Sequence, residues 1–381
     1  MKELVNLKKI LVAGAFVMGA ASVMSTAMVN SVHAEGDTAD QTQTMPTNAW
    51  GNENGAKVYY GADGQKVTGL KKIDSATYYF DANGHMATGF MKANGHTYYF
   101  GADGKAVTGF ADVQGKRYYF NEHGWMQTGL VKVNGKSYYF TNSGAAIKAG
   151  WVKCDDGKKR YGLGNGRFAT GAKKIGKTYY GFKTNGTLDT KGFKKYGKYN
   201  YYVTKNGKLA KGWQAIGNYA YYFSKTNARR AYNTKIKYLK IGKSGRLGKA
   251  YAQAIRVMNK NGWNLRAAYR YAAGLRYANR SLRRSTPEAY ATIGFTNHSG
   301  NCFVMASTFY IQAKLLGYNV HQISGHVGHN AAPHSWCYIV MNGRKWLYDP
   351  NFTNEHGRMA FHFIEGTGGT WRYVGGRRLL G

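Results

Sequence analysis

From Gly55 to Phe223 the chain is written in short alternating runs that recur about every twenty residues. Paired tyrosines followed by an apolar residue mark one beat, as at Tyr78-Tyr79, Tyr98-Tyr99, Tyr118-Tyr119 and Tyr138-Tyr139. A small polar residue before glycine marks the other, at Thr68-Gly69, Thr88-Gly89, Thr108-Gly109 and Thr128-Gly129. Each unit reads as strand, glycine turn, aromatic strand, glycine turn. In Lys132-Val133-Asn134-Gly135-Lys136 the Asn-Gly pair is the bend of a two-residue hairpin. A lone hairpin cannot bury its aromatic face, so the pattern predicts neighbours stacked into an all-β solenoid.

After Phe223 the rhythm stops. A basic connector is expected over residues 229–248, and helical periods follow. Ala252, Ile255 and Met258 share a face of a helix running from Lys249 to Asn261, closed by Gly262. Asn264 is placed to cap a second helix carrying Leu265, Ala268, Tyr269 and Ala272, and Thr286-Pro287-Glu288 to open a short third. Ser299-Gly300-Asn301-Cys302 leads into a helix with Val304, Ala306, Phe309, Ala313 and Leu316 on its apolar surface, and Gly317 stops it. His334 to Val340 then reads as a strand, Asn342-Gly343 as a turn and Arg344 to Tyr348 as the returning strand. Residues 249–381 thus read as helical periods followed by a strand hairpin.

Composition narrows the setting. The 381 residues carry a net charge of +36, with 51 Gly and 32 Tyr but only 4 Pro. So many aromatics argue against a disordered Gly-rich chain, and so much positive charge gathers on something anionic, nucleic acid or the phosphate-rich polymers of a bacterial wall. The N-terminus chooses between them. Lys2, Lys8 and Lys9 precede an apolar run from Ile10 to Val29, and Val32-His33-Ala34 has the small-residue pattern of a cleavage site. Residues 1–34 therefore read as a secretory signal peptide, with a membrane anchor as the other reading, and 35–54 as a linker to the array at 55–228. Export sets nucleic acid aside and limits membrane contact to translocation. The expected location is the cell wall or extracellular surface.

Three cysteines, Cys154, Cys302 and Cys337, leave at least one thiol outside any intramolecular disulfide. Cys302 falls in the first turn of its helix, where free N–H groups and the positive helix end favour a negative sulfur. If the Asn342-Gly343 hairpin closes tightly, Met341 faces Arg344 and Trp336 faces Asp349. His334, Trp336 and Asp349 then share one face, with the first and last as diagonal neighbours. Cys337 falls on the opposite face, which argues against a metal held by His334 and Cys337. No metal or cofactor is expected.

Two resemblances sharpen this picture. The array is similar to the glucan-binding and choline-binding wall repeats of Gram-positive surface proteins. That similarity implies aromatic cages built from the residue after each repeat glycine and the residue before each tyrosine pair. The first set includes Leu70, Phe90, Phe110, Leu130, Ala172 and Phe193, with Trp only at Trp151 and Trp213; the second is Thr77, Thr97, Arg117, Ser137 and Thr178. Most choline cages are then expected to lack walls, and the preferred ligand is an anionic or glycan wall polymer, with choline and a mere spacer as alternatives. The C-terminal order Gly300-x-Cys302, Ser324-Gly325, His334-x-Trp336 and Trp346-x-Tyr348-Asp349-Pro350 resembles the transglutaminase-like superfamily, which implies a papain-like α+β fold for residues 249–381.

That second resemblance implies a catalytic Cys302, His334 and Asp349, a peptide or protein amide substrate, and Trp336 walling the cleft. The Cys302 backbone N–H is expected to face the oxyanion; a second donor is not identifiable, although Asn297 and His298 lie nearby. His321, His326 and His329 read as loop or surface residues. Whether water or an amine takes the acyl group stays open. A glycosidase would need two carboxylates across a sugar, and from Lys249 onward only Glu288, Asp349, Glu355 and Glu365 are acidic. The remaining alternative is a surface adhesin or wall-binding protein whose transglutaminase-like domain is inactive.

Overall fold

The structure, a computed structural model, describes residues 46–279, 286–327, 332–357, 360–364 and 373–378. The expected signal peptide, His329 and Glu365 lie outside the described residues. The chain divides into two compact units at the Val67–Thr68 boundary. In the first, Ala49–Glu53 and Ala56–Tyr60 form an antiparallel hairpin about Asn54-Gly55, so the expected linker already ends in a strand. Glu53 ties that hairpin together, accepting from the Tyr60 hydroxyl at 2.7 Å and pairing with Lys66 at 2.8 Å.

In the second unit the array is a run of five-residue hairpins. Gly69–Ile73 pairs with Ala76–Phe80, Gly89–Ala93 with His96–Phe100, Gly109–Val113 with Lys116–Phe120, and Gly129–Val133 with Lys136–Phe140. Every strand pair sets the repeat glycine opposite the terminal Phe. At Asn94-Gly95 both φ values are positive (51° and 77°), the mirror-image turn whose twist matches that of paired strands. Phe80, Phe100, Phe120 and Phe140 are fully buried. Each hairpin is sewn to a later one through the backbone: Ala106 N–H donates to Thr77 O at 2.8 Å, and Met126 N–H to Thr97 O at 2.8 Å.

The rhythm slips once. Gly150–Lys153 and Lys159–Gly164 form a hairpin that joins Arg167–Phe168 and the Gly129–Phe140 pair in one five-stranded sheet. Here Arg160 stands where the other hairpins bury a tyrosine, and it is 2% exposed. Asp156 neutralises it through two bonds of 2.9 and 2.8 Å, and its guanidinium lies 4.4 Å from the Tyr139 ring centroid. The expected basic connector is itself folded. Thr234–Ile236 and Leu239–Ile241 make a further hairpin, and backbone bridges join Phe223 to Arg230 and Ala220 to Leu247. Its apolar positions Leu239 and Ile241 are buried, which the surrounding lysines obscure in the sequence.

Five helices follow: α1 Lys249–Asn261, α2 Leu265–Ala273, α3 Pro287–Asn297, α4 Cys302–Leu316 and α5 Pro350–His356. Asn264 and Thr286 cap α2 and α3 as expected, and Gly317 ends α4 in the left-handed region. An antiparallel five-stranded sheet runs in the order Phe361–Ile364, Arg344–Tyr348, Ala332–Met341, Val320–Val327, Tyr373–Arg378. Helix α4 packs against it through Ala306, Phe309 and Ala313, which share a core with Cys337, Ile339 and Tyr348. A side chain at Gly300 would run into Val304, so only glycine lets the chain turn this tightly into α4.

Because the terminal Phe of each hairpin is shared core, Phe120→Ala is expected to lower array stability by about 3–5 kcal/mol. Exposed Lys116→Ala should change it by less than about 0.5 kcal/mol. Urea unfolding followed through the tyrosine signal checks the difference.

Candidate functional site

The thiol site is assembled by three junctions between helix and sheet. Asn301 caps α4, its side chain accepting from Val304 N–H at 3.3 Å, which sets Cys302 as the first helical residue. The sulfur is 7% exposed and lies 4.0 Å from the Pro333 carbonyl, next to His334 in the adjoining strand. The hairpin register is Met341 with Arg344 through Cys337 with Tyr348, so the following pair would be Trp336 and Asp349. At Asp349 the strand ends and α5 begins. Its Oδ1 accepts from Asn351 N–H and Phe352 N–H at 3.1 Å each, and its Oδ2 lies 2.7 Å from His334 Nε2.

His334 therefore spans the site. Nε2 meets the carboxylate, and the Cys302 thiol lies near enough to the ring for its interaction to raise the histidine pKa. Burial disfavours a charged ring, but the bonds and charges of Asp349 and Cys302 outweigh it and raise the His334 pKa to about 10. Asp349, 1% exposed, is held from behind: Tyr269 of α2 directs its hydroxyl toward the Asp349 carbonyl at 2.7 Å and the Ala360 carbonyl at 2.6 Å.

Cys337 takes the opposite face, as parity requires. Its thiol donates to the Ala306 carbonyl at 3.3 Å, and burial together with the Asp349 charge pushes its pKa well up. Cys154 is likewise buried in the array, where burial raises its pKa against the opposing bond from Arg160. None of the three cysteines is in a disulfide. Among the described residues no group of three or more His, Cys, Asp and Glu side chains could hold a metal ion.

The site differs from the sequence reading in four places. Trp336 is buried with Ile323 and Leu347, its ring stacked 6.1 Å from that of His334; it backs the imidazole and offers little wall to a cleft. His321 and His326, expected in a loop or at the surface, lie in the Val320–Val327 strand, where His326 is exposed and His321 half-buried. Gln322 was missed. Fully buried, it accepts from Ser307 of α4 at 2.8 Å and donates to Ser335 at 3.0 Å, clamping the helix of Cys302 to the strand of His334. Tyr277 was also missed. A short parallel pairing sets it beside Gly300, it is exposed, and its pKa is raised by partial burial and by the charges of Cys302 and Glu355, which places it at the rim of the thiol. Only a glutamine among apolar residues could have signalled the first, and nothing local the second.

The array carries a second kind of site. Phe90, 40% exposed, lies 4.9 Å from Tyr99 of its own hairpin and 5.1 Å from Tyr118 of the next. The same three-ring corner recurs at Phe110, Tyr119 and Tyr138 (4.9 and 5.0 Å), at Trp151, Tyr161 and Tyr180 (5.3 and 5.1 Å), and at Phe193, Tyr202 and Tyr221 (5.0 Å each). At these four corners the walls are present where most were expected to be missing, whereas at Leu70, Leu130 and Ala172 the position after the repeat glycine carries no ring, as expected. The third ring is not the residue before the tyrosine pair; it is the tyrosine two residues before the buried terminal residue of the following hairpin. Phe supplies the ring where Trp was sought.

Where the array meets the C-terminal domain, a cavity of about 540 Å³ is lined by Trp213, Tyr222, Lys225, Lys237 and Trp263. Among the described helices none is long and apolar enough to cross a membrane.

No curated protein matches the chain. Among solved structures it is similar to choline-binding protein F of Streptococcus pneumoniae, crystallised in the presence of a peptidoglycan analogue: 27% identity over 50% of this chain and 75% of that one, TM-score 0.37. It is similar also to the choline-binding domain of CbpL from the same organism, at 26% identity over 47% and 96% of the two chains, TM-score 0.34. The modular autolysin LytC of S. pneumoniae matches at 23% identity over 49% and 43%, TM-score 0.37. The choline-binding repeat model matches residues 67–106 and 107–151, so the hairpin array of this chain carries choline-binding repeats.

Proposed function

We propose that this chain is a surface-bound thiol enzyme: the array holds a choline-bearing wall polymer, and a transglutaminase-like C-terminal domain transfers acyl groups from peptide amides. What supports the enzymatic half is the 2.7 Å contact of His334 with Asp349, together with the Cys302 sulfur lying 4.0 Å from the carbonyl of Pro333, the residue before His334. Cys302 Sγ attacks the amide carbonyl, a C–S bond forms, and His334 gives its proton to the nitrogen as the C–N bond breaks. Asp349 keeps the ring in one orientation and stabilises its charged form. The Cys302 backbone N–H, without an intrahelical partner at the start of α4, is assigned to the developing oxyanion. Water or an amine then takes the acyl group, and His334 accepts its proton.

The binding half rests on the repeat match and on the three-ring corners. Three aromatic faces converging at one exposed point attract a quaternary ammonium, at about 0.5–2 kcal/mol for each well-placed ring. This revises the expected preference for anionic polymers. Positive charge elsewhere on the array suits the phosphates that accompany choline on such a polymer. On this reading the protein is held at the cell surface.

A second reading, a wall-binding protein with an idle thiol domain, draws on the 7% exposure of Cys302 and on a repeat match that stops at residue 151. Labelling separates the two. Iodoacetamide at pH 7 should modify Cys302 first, located by mass spectrometry, and His334→Ala should slow that labelling at least about tenfold. Labelling that is slow, insensitive to the substitution and no faster than at Cys154 or Cys337 would establish the idle domain.

The raised histidine also predicts a direction with pH. With a folded pKa of about 10 against 6.5 unfolded, His334 contributes stability in full below pH 6.5. That contribution declines as the pH rises and is gone above 10. The melting temperature of wild type should therefore exceed that of His334→Ala most at pH 6, with the gap closing toward pH 10. For the array, Phe90→Ala should weaken choline binding at that corner by about 0.5–2 kcal/mol, seen as earlier elution from immobilised choline.

A further inference from the structure

In most later hairpins the closing residue is bridged to an apolar residue six positions on, whereas in the first hairpin Tyr60 is bridged to Lys66, which pairs with Glu53. These later bridges are Phe80 to Met86, Phe100 to Ala106, Phe120 to Met126, Phe140 to Ala146, Phe182 to Leu188 and Val203 to Leu209. All these partners are apolar, and Met126 packs into the cluster of Tyr118 and Tyr99 that walls the Phe90 corner. In the last hairpin the same bridge joins Phe223 to Arg230. The backbone place is unchanged, since Arg230 N–H donates to Asn200 O at 2.9 Å just as Met126 N–H donates to Thr97 O. Only the side chain differs, and it carries a cation.

That cation lies inside the corner. The Arg230 guanidinium carbon is 5.2 Å from the Phe193 ring centroid and 4.5 Å from that of Tyr221, the two rings contributed by successive hairpins. Tyr232 adds a third ring at 4.7 Å, and Nη2 donates to the Ser244 carbonyl at 2.6 Å, beyond the Thr234–Ile241 hairpin. Nε is buried and, among the described residues, has no hydrogen-bond partner, so ring faces and one carbonyl hold the charge. Among the described residues no cationic side chain lies over Phe90, Tyr99 or Tyr118. Lys159, 4.8 Å from Trp151, reaches its corner on an exposed stem. Arg117, 5.3 Å from Phe110, is turned toward Asp112 at 3.3 Å.

We infer that the Phe193–Tyr202–Tyr221 corner is a quaternary-ammonium site filled from within by Arg230, which excludes choline there and spends the site on fastening the array to the hairpin that follows. The inference rests on the ammonium reading of the other corners. A guanidinium and a trimethylammonium group compete for the same ring faces, and the tethered one has no translational freedom to lose.

Choline titration by calorimetry, on the full chain, tests this through stoichiometry. Arg230→Met installs the residue that underlies the Phe90 corner and should bind one more choline per chain than wild type, while Arg230→Lys should not. In the otherwise wild-type chain Phe90→Ala should weaken one site about 2- to 30-fold, and Phe193→Ala should leave every site unchanged. Loss of a site in Phe193→Ala overturns the inference, and that arm does not depend on Arg230→Met folding. An unchanged count in an Arg230→Met chain that melts like wild type overturns it as well. No choline heat from wild type is a different result: it overturns the ammonium reading itself, and the filled corner with it.

Discussion

A two-stranded hairpin of five-residue strands has two faces and no interior, and everything in the array answers that constraint. Phe80, Phe100, Phe120 and Phe140 are dry only because neighbouring hairpins cover them. Covering them fixes the step from one hairpin to the next, which the backbone bonds from Ala106 and Met126 then hold. The step in turn brings a ring from hairpin n beside a tyrosine from hairpin n+1. The three-ring corner is thus a by-product of core burial: its rings are those the stacking leaves on the open side of the array.

The thiol domain solves a different problem, that of bringing three side chains from remote segments together. It does so where helices meet strands. Cys302 begins α4, Asp349 begins α5, and His334 lies on the strand between. Each helix start supplies backbone N–H groups with no internal partner, and two of these bind Asp349 while its other oxygen faces the imidazole. The buried Ser307–Gln322–Ser335 chain carries no charge and touches none of the three. It nonetheless keeps α4 at one height against the sheet, because leaving any of its polar atoms unpaired in the core would cost about 1–3 kcal/mol.

Positive charge has three distinct uses in one chain. Arg160 is buried against Asp156 and two rings, Arg230 sits among three rings and a carbonyl, and most lysines stand in solvent. Aromatic faces make the first two tolerable away from water. A net charge alone distinguishes none of these, because it says nothing of which charges lie against rings and which lie in solvent.

By itself the sequence determined what depends on local order. The hairpin rhythm follows from a period of about twenty residues, with turns set by Asn-Gly pairs that accept positive φ. The helix starts at Asn264, Thr286 and Asn301 follow from capping chemistry, and the register of the Asn342-Gly343 hairpin follows from a two-residue loop. With period-two side chains, that register already set His334 and Asp349 on one face and Cys337 on the other. Tertiary structure alone decided which residues from different segments meet. The third ring of each corner comes from the next hairpin, so its position depends on the stacking step. Tyr277 reaches the thiol rim through a strand pairing no local pattern announces, and the lysine-rich stretch at 229–248 folds because its few apolar residues find a core. Periodicity and caps are properties of neighbours in the chain, whereas a site is a property of neighbours in space.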